Sequence, residues 1–230
     1  GWTVPAGAAE ATGYWESRGI PCNLNVYASD GDSITLADGT VCSTVDAVVG
    51  DPARRAQAVA ALVDAAADYA GLTLDFEGLK GGDTRANYPA FLAELRAALP
   101  ADKTLWVCVQ PDTWYDGWDY RAIGEAADKV ILMAHDYQWT SVPQSYVGTA
   151  NTNSPVTPFD QVYQALRDLT DPASGVADRS KLALAVSFGT AGFRVDGDGN
   201  LLETTIYHPA MDTLAARLNQ SDTVVTYDTA

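Results

Sequence analysis

The chain has 230 residues, 47% hydrophobic and 19% charged, a balance typical of folded globular proteins that excludes disorder, collagen and coiled coil. Fourteen Lys and Arg against thirty Asp and Glu leave a net charge of −16, so the surface repels phosphate backbones and anionic headgroups; this argues against nucleic acid and membrane surfaces as partners and favours neutral or basic ligands. No stretch reaches the roughly 18 uncharged apolar residues of a membrane span, and no signal peptide is visible between Gly1 and Ala11.

In chain order, the first predicted strand is Asn23 to Ala28. A helix follows from Pro52 to Tyr69, with Asp51 as N-cap, Pro52 in the first turn and Val59, Leu62, Val63 and Ala66 on one face. The next strand, Gly71 to Phe76, leads to a helix from Asn87 to Leu99 that Pro100 ends. Strands Leu105 to Gln110 and Val130 to Ala134 come next, then a helix from Pro158 to Leu169 and a strand from Leu182 to Phe188. Phe193-Arg194-Val195 and Leu201-Leu202 flank a hairpin turn over Asp196 to Asn200, a better reading of that segment than a calcium loop. Pro209 to Leu218 is helical and Thr223 to Tyr227 a last strand. Trp2, Trp15 and mid-strand Trp106 read as packing residues.

Strand–helix alternation means parallel strands joined by crossover helices, in either an open doubly wound sheet or a (β/α)8 barrel. No glycine-rich phosphate loop follows any strand, so no nucleotide cofactor is expected. With three cysteines, two histidines and no CxxC, no metal site is expected either. Cys22 and Cys42 could pair in an oxidising compartment, and Cys108 reads as a small buried hydrophobe.

The informative segment is Gly71-Leu72-Thr73-Leu74-Asp75-Phe76-Glu77-Gly78. An apolar strand ends in two acids spaced i, i+2, which leave one face roughly 7 Å apart. Ligands bind at the C-terminal ends of parallel strands, and neighbouring carboxylates drive one of the pair to hold a proton, as a general acid must. The plainer alternative is a strand end entering solvent. Val130-Ile131-Leu132-Met133-Ala134 is a second apolar strand, followed by His135, Asp136 and Tyr137 on the same predicted rim.

These segments resemble the signatures of glycoside hydrolase family 18, the chitinase and endo-N-acetylglucosaminidase family, in its bacterial branch. The family's Asp-Gly-x-Asp-x-Asp-x-Glu strand is matched by Ala70-Gly71-Leu72-Thr73-Leu74-Asp75-Phe76-Glu77, and its Met-x-Tyr-Asp by Met133-Ala134-His135-Asp136. The similarity runs from about Asn23 to Tyr227 and implies an α/β fold, a TIM-type (β/α)8 barrel, forming a single catalytic domain over residues 1–230. No first strand precedes Asn23 and no eighth follows Tyr227, so the barrel is expected to be incomplete or shortened at both ends.

The resemblance implies cleavage of β-1,4 bonds in N-acetylglucosamine glycans of the chitin or peptidoglycan type. Catalysis would be retaining and substrate-assisted, without a cofactor. Glu77 would protonate the glycosidic oxygen while the sugar's 2-acetamido oxygen attacks the anomeric carbon. Asp75 would orient that acetamido group and steady the oxazolinium, and Asp136 would contact the sugar and the acid pair. Holding the acetamido group in place is a proximity effect worth roughly 7–11 kcal/mol. Thr73 and Ala70 stand where the family has its first two aspartates, and His135 where it has tyrosine. Thr73 is expected to hydrogen-bond Asp75, His135 to donate to the acetamido oxygen with Tyr137 as a substitute, and Met133 to line the substrate site. Trp114, Trp118 and Trp139 follow two strand ends and are candidate sugar platforms, with anchoring of the loop as the alternative for Trp114 and Trp118. The competing function is a carbohydrate-binding, lectin-like protein on the same barrel, against which the retained Glu77 argues. A conventional glycosidase with Asp136 as nucleophile is a third. An extracellular or cell-envelope location is expected.

Overall fold

A computed structural model describes residues 3, 5–29, 31–112, 114 and 117–225. They fall into two compact units, one drawn from Gly1–Met133 and Tyr163–Ala185 and the other from Ala134–Val162 and Val186–Ala230.

The first unit opens with α1 (Ala8–Glu16) and β1 (Asn23–Ala28). A hairpin of β2 (Ser33–Thr35) and β3 (Val41–Ser43) leads into α2 (Thr44–Gly50), whose N-cap Ser43 Oγ accepts from Asp46 N. In α3 (Pro52–Ala65), Asp51 caps as its sequence suggests, accepting the Arg54 amide at 2.8 Å, and Pro52 opens the first turn. β4 (Gly71–Phe76), α4 (Thr84–Ala98), β5 (Thr104–Val109), α5 (Tyr120–Ala126) and β6 (Lys129–Met133) alternate regularly. After α6 (Phe159–Leu169), β7 (Leu182–Ala185) ends three residues before the expected strand does.

β1, β4, β5, β6 and β7 form one parallel sheet in that order. A doubly wound sheet reverses its strand order part-way and carries helices on both faces. Here the order runs one way, as in a barrel, with right-handed crossovers expected to keep the helices on one side. One sheet face, with Val26, Leu72, Leu74, Phe76, Leu105, Val107, Val130 and Leu132, is buried. Phe76 stacks on Phe91 of α4 at 5.9 Å between ring centroids, with Tyr88 at 6.1 Å. Among the described residues β1 and β7 remain the two edges of the sheet and do not pair.

The opposite face is built differently. The register sets Asn25 beside Thr73 and Tyr27 beside Asp75, with Trp106 next to Thr73. Over β1 and β4, and at Trp106 of β5, this face is polar and aromatic rather than aliphatic. Trp106, expected as packing, is 38% exposed because it shares that face. Trp15 is also exposed, meeting Tyr14 edge-on at 5.1 Å, whereas Trp2 lies outside the described residues. Cys22 and Cys42 are free thiols rather than a bridge.

In the second unit the expected hairpin turn is present: Val195 pairs antiparallel with Leu201, and Asp196 Oδ1 accepts the amides of Asp198 and Asn200. No calcium-type cluster forms there, and no group of three or more His, Cys, Asp or Glu among the described residues is placed to hold a metal. α7 (Met211–Leu218) starts two residues after the proline predicted to open it. Thr223 to Val225 form no strand, and the rest of that predicted element, from 226 onward, lies outside the described residues. No described helix is long and apolar enough to cross a membrane.

Candidate active site

The site in the first unit begins at the foot of β4. Gly71 lies between Asn23 and Thr104, and Thr104 Oγ1 donates to Asn23 Oδ1 across it at 2.9 Å. A Cβ at Gly71 would collide with the backbone of Thr104, its nitrogen only 2.6 Å away, so glycine alone lets the three strands close up here. Thr73 Oγ1 accepts from Asn23 Nδ2 at 3.5 Å, a partner that the sequence did not suggest.

Asp75 and Glu77 are two residues apart at the strand's end and leave the same face. Both are half-buried, and Asp75 Oδ1 is shut off from solvent. The Glu77 amide donates to Ala28 O at 3.0 Å, extending the β1–β4 pairing one step past the strand. Tyr27 OH donates to Glu77 Oε2 at 3.4 Å. The Ser29 side chain pulls the Tyr27 phenol down. The charge of Glu77, desolvation, the bond to Glu77 and the charge of Asp75 outweigh it and hold the phenol above its ordinary value. On β5, burial first, then the charges of Asp75 and Glu77, push the Cys108 thiol up to about 12. The carboxyl pair thus acts electrostatically on strands either side of β4.

Past Glu77 the chain turns sharply. A Cβ on Gly78 would lie 3.0 Å from both Ser29 O and Val45 Cγ2. Asp46 of α2 then pins the loop, its Oδ2 accepting the Lys80 amide at 2.9 Å and its Oδ1 the buried Thr84 hydroxyl at 2.8 Å. Sequence reasoning missed Tyr27 and Asp46. The signal for Tyr27 was present: Asn23, Asn25 and Tyr27 alternate with aliphatic residues, the mark of a strand with one polar face. Asp46 carried no comparable pattern.

The tryptophans divide. Trp118 is only 2% exposed, meets Tyr88 edge-on at 5.6 Å, and its carbonyl accepts from Arg85. It anchors its loop to α4 and offers no face to a sugar, which corrects its expected role as a platform. Trp114 remains 43% exposed in a turn closed by its amide on Pro111 O. Met133 is buried at the end of β6, paired with Ala185.

His135, Asp136, Tyr137 and Trp139 belong to the second unit. Asp136 has φ 63°, the one described non-glycine residue in the left-handed region, and its side chain is 64% exposed. Its Oδ2 lies 2.8 Å from His135 Nδ1. Backbone strain in a short acidic residue marks a position that the surroundings enforce. The Tyr137 amide donates to Val156 O at 3.3 Å, and burial raises the phenol. Trp139 is held by its amide on Ser154 Oγ at 2.7 Å and packs against Tyr146 at 5.4 Å and Phe193 at 6.4 Å.

The sequence model of glycosyl hydrolases family 18 matches residues 43–229, a span that contains both acids and the His135–Asp136 pair. The chain belongs to this family. Among curated relatives, a cortical fragment-lytic enzyme of Bacillus anthracis is 29% identical over 105 residues, covering 43% of this chain and 23% of its own length. Among solved structures, the spore cortex-lytic enzyme SleL of Bacillus cereus matches with a TM-score of 0.68 at 18% identity, over 99% of this chain and 49% of that one. A glycoside hydrolase family 18 N-acetylglucosaminidase from Paenibacillus barengoltzii gives 0.65 at 18% identity, over 93% and 66%. The structural likenesses concern the fold, a TIM-type barrel represented here by five consecutive parallel strands. The family 18 chain spans about half the length of SleL and less than a quarter of the anthracis relative in the matched stretch.

Proposed function

We propose that this family 18 chain hydrolyses β-1,4 bonds beside N-acetylglucosamine in a cell-envelope glycan, with Glu77 as acid and base. The observation that carries the reading is the pairing of Asp75 and Glu77 on one polar face at the C-terminal end of β4. In the first step Glu77 gives its proton to the glycosidic oxygen as the C1–O bond breaks. The substrate's acetamido carbonyl oxygen bonds to C1, forming an oxazolinium whose N–H Asp75 holds. Water then adds to C1, its proton returning to Glu77, with net retention. His135, Asp136 and Tyr137 are further sugar contacts in this reading on the strength of their motif alone. Trp114 and Trp139 remain aromatic candidates for the sugar face.

The words "cortical fragment-lytic" and "spore cortex-lytic" in the relatives' names favour a peptidoglycan-type substrate over chitin, and an envelope or extracellular site of action. The test compares wild type with Glu77→Gln on chromogenic chito-oligosaccharides and purified peptidoglycan. Turnover by wild type and loss of at least about a thousandfold in Glu77→Gln support a hydrolase. Ala70, Thr73 and His135, which replace acidic and tyrosine positions of the family pattern, favour a lectin as second reading. Glycan binding without turnover in both proteins would establish it.

A further inference from the structure

We propose that Tyr27 is a positioning residue for the acid: its hydroxyl fixes which carboxyl oxygen of Glu77 carries the proton and stabilises the carboxylate left when that proton has gone. The inference rests on the reading of Glu77 as the acid and adds to it a second strand and a second side chain. Tyr27 lies beside Asp75 in the β1–β4 register, and its hydroxyl donates to Glu77 Oε2 at 3.4 Å. A carboxylic acid accepts best through its carbonyl oxygen, so a donor on Oε2 leaves the transferable proton on Oε1. Ser29 Oγ accepts the Gly31 amide at 3.1 Å, so the Tyr27 hydroxyl has Glu77 as its hydrogen-bond partner. The single phenolic proton of Tyr27 is donated in that bond to Glu77.

At 3.4 Å the contact is long for O–H···O, which suits a resting acid. It becomes a charge-assisted bond, shorter and stronger, only as Glu77 loses its proton. An interaction that strengthens along the reaction lowers the barrier rather than merely aiding binding. Tyr27 is 52% exposed, so it borders the open face rather than the core. Glu77 and Asp75 both act on Tyr27 of β1 and on Cys108 of β5. Tyr27 and Cys108 both stay neutral through the working pH range, because each is held above its ordinary value.

The test is the pH profile of kcat/KM for Tyr27→Phe on chito-oligosaccharides. Loss of the donor makes the Glu77 carboxylate less favourable, so the alkaline limb moves up by about one pH unit and kcat falls about tenfold. On an aryl glycoside whose leaving group departs without protonation, the same variant loses less than about twofold in the bond-breaking step. Replacing Tyr27 by 3-fluorotyrosine, a stronger donor of nearly the same shape, moves it down, and serves if Tyr27→Phe does not fold. An unmoved limb in these variants, or equal losses on both leaving-group classes, overturns the role of Tyr27 while the hydrolase reading stands. A wild type inactive on every glycan, or a fully active Glu77→Gln, overturns both.

Discussion

Asp46→Ala tests whether the loop beyond Glu77 is held from outside the strand. Asp46 supplies two acceptors, one to the Lys80 amide and one to the Thr84 hydroxyl, and Thr84 is 2% exposed. Without Asp46 the Thr84 hydroxyl is stranded in the interior at about 1–3 kcal/mol, and the bond to the more exposed Lys80 amide adds about 1 kcal/mol. The sum, about 2–4 kcal/mol, corresponds to roughly 4–16 °C in melting temperature for a domain of this size. Urea denaturation should show a lower midpoint at unchanged slope. The same loop begins at Glu77, so kcat should fall by about tenfold or more with KM nearly constant, because a misplaced acid loses rate before it loses binding. Asp46→Asn keeps one carbonyl acceptor and should lose less than half as much stability. A clear fall in stability with kcat untouched would show that the Asp46 contacts do not position the acid; an unchanged midpoint would show that they are not made in solution.

Gly71→Ala should destabilise the protein by at least about 1–3 kcal/mol in urea denaturation, since a methyl there meets the Thr104 backbone, not a flexible side-chain tip; a neutral result would mean that the Asn23–Thr104 bridge is absent. Cys108 gives a pH prediction with a definite sign. Its folded thiol titrates at about 12 against an ordinary value of 9.0, so the stability it contributes is whole below about pH 9 and is lost as pH climbs toward 12. The stability difference between wild type and Cys108→Ala should therefore shrink over that range, and parallel curves would contradict the burial of the thiol. Thr73→Asp adds a like charge two residues before Asp75 and should move the acid limb of the pH–rate profile to higher pH; a limb that stays in place would refute that coupling.

Much of the first unit is legible in the residues themselves. Gly71–Phe76 coincides with its largely apolar run and Asn23–Ala28 with its alternation of polar and aliphatic residues, and Asp51-Pro52 announces α3 through an unambiguous cap. The acids stand out because two charges closing an apolar run mark the point where a strand leaves the core. The shorter elements do not reveal themselves. β2 and β3 are three residues each, too brief for a periodicity, and α5 is seven residues with a glycine in it. Helix α4 begins at Thr84, three residues earlier than expected, with Pro89 inside it. Thr223 to Val225 show the opposite failure: these β-branched residues form no strand among the described residues and Val224 and Val225 stay exposed, because strand propensity reflects packing rather than backbone preference. Trp118 and Trp106 exchanged their expected environments for a related reason. A tryptophan's pattern says that it is large and apolar, whereas the register and the neighbouring helix decide which face it meets.

The most direct test of substrate-assisted hydrolysis at Glu77 follows the anomeric configuration of the first product by proton NMR, using an N-acetylglucosamine oligomer and its counterpart with a 2-hydroxyl in place of the acetamido group. Substrate-assisted hydrolysis requires that the β-anomer appear first from the N-acetylated substrate, that the 2-hydroxy counterpart not be turned over, and that Glu77→Gln yield neither product. An α-anomer formed first, or comparable turnover of both substrates, would contradict it.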